Sequence, residues 1–234
     1  MNLHITKEQF EVMVPLAAEK YLIGSRFYGH DHEDSDMDIL YIYDEQQLDV
    51  GVLRSYGILS NLQLQYKDVE NKIDHVFTSR PQFWANLFSG DSQVNLEVAI
   101  LQIEYNPSYF RSFKVLRGLL GVAKRDWKAS SADINRLKHS QKMLYIAKQI
   151  YYREVISVDA INDIFSKSAE RLQAEKLSLS QEIATFRDLF AKDLDEAKLF
   201  SYSPEFIDHL NKVSVNDPTS LIINNLNTIN FKYD

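Results

Sequence analysis

The sequence predicts an α+β fold, with a mixed sheet and flanking helices in residues 1–105 and a helical half in 106–234. Three observations predict it. The short apolar runs that read as strands, rich in β-branched and aromatic residues, lie before residue 80. From about Pro107 onward, apolar residues recur at helical spacing behind capping signals. The 234 residues hold only 7 Gly and 5 Pro, so no flexible linker is written between the halves, and they are expected to pack together.

Taken in order, residues 6–20 read as a helix. Thr6 caps it, and Phe10, Met13, Val14 and Leu16-Ala17 share one side, with Pro15 expected to kink it or end it early. Tyr21-Leu22-Ile23 is a short buried strand ending at Gly24-Ser25. Ile39 to Tyr43 is a second and better strand. Asp44 to Arg54 reads as a short helix, Gly57 to Tyr66 as an alternating strand and Lys72 to Thr78 as a further strand. Helices follow at Pro81–Ser89, with Phe83, Trp84, Leu87 and Phe88 as the apolar side, and at Val94–Ile103. Ser130-Ser131-Ala132-Asp133 is expected to cap a long helix reaching about Glu154, with Leu137, Leu144, Tyr145 and Ile150 on its apolar side. The remaining helices are placed at 158–176, 180–200, 203–213 and 218–228, the last opened by Asp217-Pro218.

Composition narrows the function classes. Hydrophobic residues make up 45% and charged residues 25%, ordinary values for a globular protein. With no cysteine there can be no disulfide, no thiolate nucleophile and no Cys-ligated zinc. No apolar run approaches the roughly 20 residues that span a bilayer, and the N-terminus lacks a signal-peptide core, so the expected location is the cytoplasm. Net charge is −7, unevenly spread. Between Arg111 and Arg153, 11 Lys or Arg face 2 Asp, a local charge of +9 that leaves −16 for the rest. Such a basic middle suits a phosphate-rich partner, and equally a pair of solvated amphipathic helices.

The stretch with the most chemistry is Tyr21 to Tyr43, YLIGSRFYGHDHEDSDMDILYIY. After Gly24-Ser25, ten residues intervene before Asp36-Met37-Asp38. On an extended strand, alternate residues share a face, so Asp36 and Asp38 point the same way. Carboxylates so placed repel unless a cation lies between them, and hard oxygen ligands suit Mg²⁺ or Mn²⁺. Gly24 and Ser25 offer backbone N–H groups, a hydroxyl and little bulk, which suits close approach of a phosphate. Asp74 is a charge in an otherwise apolar strand, facing either solvent or a site. His75 beside it falls on the opposite strand face. His30 and His32 around Asp31 have the pattern of a polar loop rather than of a zinc site.

These residues resemble the nucleotidyltransferase superfamily typified by DNA polymerase beta. The longer string, Gly24-Ser25-Arg26, Tyr28-Gly29, then Ser35-Asp36 and Asp38-Ile39, resembles the predicted nucleotidyltransferases of the YcgL type, also described as the RNA-repair-pathway polymerase-beta-like family. The resemblance implies a nucleotidyltransferase domain over 1–105 with a mixed sheet. In it, Asp36 and Asp38 would bridge two metal ions, and Asp74 would be the third carboxylate, on a neighbouring strand. Gly24 and Ser25 would hold the β- and γ-phosphates. Arg26 would reach a phosphate, and Lys142, in a Lys142-Met143-Leu144-Tyr145 segment like the family's C-terminal helix, would approach the triphosphate or acceptor. The family's Asn-x-x-Glu segment is not reproduced at Asn95 and Glu97, which are left to packing or local hydrogen bonding.

The expected activity is metal-dependent transfer of a nucleoside monophosphate from a triphosphate to an acceptor hydroxyl, with RNA the leading acceptor. The alternatives are AMP transfer to a partner protein, as in the nucleotidyltransferases of toxin–antitoxin pairs, a small-molecule acceptor, and a non-catalytic nucleotide-binding protein on the same scaffold.

Overall fold

A computed structural model describes residues 2–29, 35–43, 63–89 and 92–194. The expected helix at 44–54, the start of the strand expected from Gly57, the His30-Asp31-His32 loop and the helices at 203–213 and 218–228 lie outside the described residues. The described residues divide into two compact units between Ala85 and Asn86.

The first unit is α+β. Its elements run β1 (Asn2–His4), α1 (Lys7–Met13), β2 (Ala17–Ile23), the one-turn α2 (Gly24–Phe27), β3 (Met37–Tyr43), β4 (Gln63–Asp68) and β5 (Ile73–Ser79). Thr6 opens α1 through a capping box with Gln9, each side chain bonding the other's backbone N–H. Pro15 does end the helix early: Val14–Leu16 tighten into a 3₁₀ turn, and β2 begins at Ala17 rather than Tyr21. Ala-Ala-Glu-Lys has little strand propensity, and here pairing with β3 overrides it.

The five strands order as β1-β4-β5-β3-β2. β3 runs parallel to β5 and antiparallel to β2, while β4 is antiparallel to β5 and parallel to β1. One sheet face carries the core: Ile39, Tyr41 and Tyr43 of β3, Leu64 of β4 and Phe77 of β5 pack with Ile5 and Met13. Phe10 of α1 stacks on Tyr66 at 4.5 Å and meets the His75 ring at 4.4 Å. The opposite face holds Leu40 and Ile42, also buried, and beyond them toward the strand ends, the carboxylates.

The chain passes into the second unit along α3 (Arg80–Ser89), within which the division falls. The described part of that unit is helical: α4 (Gln93–Leu101), α5 (Phe113–Ala129), α6 (Asn135–Tyr152), α7 (Val158–Phe165) and α8 (Ala169–Asp193). Ser92, Ser112, Ser157 and Ser168 cap α4, α5, α7 and α8 in turn. Ser130 does not open the long helix: its hydroxyl closes α5 by donating to the Trp127 carbonyl at 2.6 Å, and Asp133 accepts from Asn135 N–H at the start of α6. The expected helices at 158–176 and 180–200 are divided differently, because Ser166-Lys167-Ser168 breaks the chain and α8 then runs unbroken for 25 residues. Leu116, Leu137, Ile150, Leu172 and Phe190 are among the side chains buried between these helices.

Candidate active site

Strand register builds the site. In the parallel β3–β5 pair, Asp38 lies opposite Asp74; in the antiparallel β4–β5 pair, Asp74 lies opposite Lys67. Asp38, Asp74 and Lys67 thus form one row across three strands. Alternation puts the row on the face opposite the aromatic core, since Ile39, Phe77 and Leu64 belong to that core. Asp36 precedes β3 by one residue and joins the group through Lys67, whose Nζ donates to Asp36 Oδ2 at 3.1 Å and stands 3.5 Å from Asp74 Oδ1.

Gly24 closes the other side. β2 pairs Ile23 with Asp38, and the chain then turns at Gly24 with φ +73°. A Cβ built on Gly24 would collide with Asp38 Oδ2, so both the backbone angle and the space demand glycine. Ser25 follows in the one-turn α2. Arg26 is committed locally: its Nη2 donates to the Ser35 carbonyl at 2.8 Å, which ties α2 to the residue before Asp36.

The electrostatics are those of crowded acid. Burial pushes the Asp38 carboxyl above its ordinary value, and the neighbouring Asp74 and Asp36 charges push it further. Lys67 is held charged above the ordinary lysine value, chiefly by its hydrogen bond to Asp36 and then by the Asp74 charge. Asp74 Oδ1 is buried and accepts no hydrogen bond among the described residues, and the Lys67 ammonium stands 3.5 Å from it. His75 faces away, as strand alternation requires. It is buried, its Nδ1 lies 3.0 Å from the Tyr41 hydroxyl, and burial pushes its pKa down.

Asp36, Asp38 and Asp74 offer hard carboxylate oxygens of the kind a divalent cation takes. Among the described residues, no group of three or more His, Cys, Asp or Glu side chains is placed to hold a metal ion. Asp36 and Asp74 converge on the lysine instead.

Lys142 lies in the second unit, where its nearly buried ammonium pairs with Glu97 Oε1 at 3.0 Å and lies 5.9 Å from the centre of the Phe165 ring. The first unit brings Gly24, Asp36, Asp38 and Asp74 together, and in the second unit Lys142 pairs with the Glu97 left to local bonding above. Lys67 was not singled out from the sequence. Alternation could have found it: with Leu64 and Tyr66 toward the core, Gln65 and Lys67 must share the carboxylate face.

The comparisons add no relative: no family model, no curated protein and no solved structure matches this chain. No helix among the described residues is long and apolar enough to cross a membrane.

Proposed function

We propose that the chain is a metal-dependent nucleotidyltransferase on a polymerase-beta-like sheet, transferring a nucleoside monophosphate from a triphosphate to an acceptor hydroxyl. The observation that carries this reading is the side-by-side register of Asp38 and Asp74, with Asp36 beside them and the Gly24 turn pressed against Asp38. In the reaction, the acceptor oxygen bonds to the α-phosphorus as the bridge to the β-phosphate breaks, and pyrophosphate departs. Mg²⁺ or Mn²⁺, when bound, stabilises the charge that develops on the attacking and leaving oxygens. Asp36 and Asp38 hold the cation side of the site, and Asp74 receives the acceptor proton. Gly24 and Ser25 give the β- and γ-phosphates a backbone surface with no side chain in the way.

RNA is the favoured acceptor. In the second unit, a cavity of about 350 Å³ lies between α5 and α8. Its walls include Leu120, Ile183 and the half-buried Trp127, and Arg117, Lys124 and Arg187 rim it without an acidic residue among its lining. Apolar and aromatic walls under a basic rim suit a base and its phosphate.

The test is transfer of label from each α-labelled nucleoside triphosphate, with Mg²⁺ or Mn²⁺, to RNA or lysate protein. Wild type should label RNA, and Asp36→Ala/Asp38→Ala should lose at least a hundredfold in rate. Label on a protein band would favour protein nucleotidylation. No transfer, with triphosphate binding unchanged by the double substitution, would leave a binding protein.

A further inference from the structure

We propose that Lys67 is a resident counter-cation: in the metal-free protein its ammonium occupies the place of a divalent cation, and cation binding proceeds by displacing it. The inference rests on the metal-binding reading of Asp36, Asp38 and Asp74.

Three observations carry it. Register puts Lys67 in line with Asp74 and Asp38, so its position is set by the sheet and not by a loop. Its Nζ touches carboxylates from two different segments, 3.1 Å from Asp36 Oδ2 and 3.5 Å from Asp74 Oδ1, as a bridging cation would. Its side chain is 51% exposed, whereas the Lys142 side chain, paired with Glu97, is 8% exposed. A half-exposed ammonium on a flexible four-carbon stem can leave for water at small cost. Lys142 cannot, because breaking its pair strands a charge in the interior.

Charge gives the direction of exchange. Three carboxylates facing one ammonium keep an excess of two negative charges. A dication in the same place removes more of that excess and takes carboxylate oxygens as ligands, where the ammonium reaches two acids. Lys67 therefore holds the acids together before the metal arrives, and lowers the affinity with which it arrives.

The experiment uses the full chain and Mn²⁺ alone. Mn²⁺ affinity is measured for wild type, Lys67→Met, Lys67→Gln and Lys67→Arg at one pH and low ionic strength. In parallel, lysine labelling of the wild type by an amine-reactive reagent is mapped by mass spectrometry, with and without saturating Mn²⁺. Removing the ammonium should tighten Mn²⁺ binding about tenfold or more, Lys67→Arg should stay near wild type, and Mn²⁺ should raise labelling at Lys67 several-fold while leaving Lys142 unchanged. The labelling arm needs no variant to fold. Equal or weaker Mn²⁺ binding in the neutral variants, or Lys67 labelling that does not respond to bound Mn²⁺, overturns the exchange and leaves the metal site standing. Absence of Mn²⁺ binding in every protein overturns both.

Discussion

The sheet of the first unit and the helices of the second both set lysines against carboxylates, and they balance the charge in opposite ways. In the helices, acids are matched or outnumbered. Glu97 pairs with Lys142, and Glu175 takes Lys167, Arg171 and the Gln141 amide together. Those hydrogen bonds, Lys167 first, hold the Glu175 carboxyl down at about 2. In the sheet, three acids share one lysine, and Asp38 is driven the other way. A matched charge serves the fold. A partly buried surplus of one sign weakens the fold and marks a place arranged for a ligand.

The comparison can be broken most forcefully at the matched pair. Glu97→Ala leaves the Lys142 ammonium enclosed without its carboxylate and should cost about 3 kcal/mol in urea denaturation, with Lys142→Met milder. A loss for Glu97→Ala no greater than that of an exposed pair, under about 1 kcal/mol, would place Lys142 in water. Gly24→Ala should cost about 2 kcal/mol, from the left-handed angle and the Asp38 collision together, and should lower the thermal midpoint.

At Asp38 the effect should reverse sign. Its carboxyl is raised in the folded protein, so the stability it contributes is full below the ordinary value of 3.8 and is lost as pH rises through the folded value. Asp38→Asn should therefore stabilise the metal-free protein by about 1 kcal/mol at neutral pH, the gain disappearing toward pH 3. A pH titration of thermal midpoints for the two proteins reads this directly. No gain at neutral pH would mean that Lys67 already balances the row. The smallest effect belongs to Glu175. Its contribution is present above 4.5 and is lost as pH falls toward about 2, so Glu175→Gln should flatten acid unfolding of the helices in that window.

The parts of this arrangement that were legible in the sequence are local. Asp36 and Asp38 sit two apart before a β-branched run, and period-two geometry alone puts them on one face. Thr6, Pro15 and the helical spacing after Pro107 act within a few residues. What escaped was long-range. Lys67 meets Asp36 from 31 residues away, and Lys142 meets Glu97 from 45. A lysine's sequence neighbours do not say which carboxylate it will reach, so neither the Lys142–Glu97 pair nor the place of Lys67 could be read from them. Ser130 failed differently: a serine between two helices can close one or open the next, and its hydroxyl found the Trp127 carbonyl first.

The row of Asp38, Asp74 and Lys67 also bears on how the chain finds its own pairing. A shift of β5 by one residue would turn Asp74 toward Phe10, Tyr41 and Tyr66 and bring His75 out to the acids. A lone carboxylate among those rings would cost several kcal/mol. The native alignment is thus guarded against its nearest competitor, and the guard is the same acidic side chain that crowds Asp38 once the strands are in place.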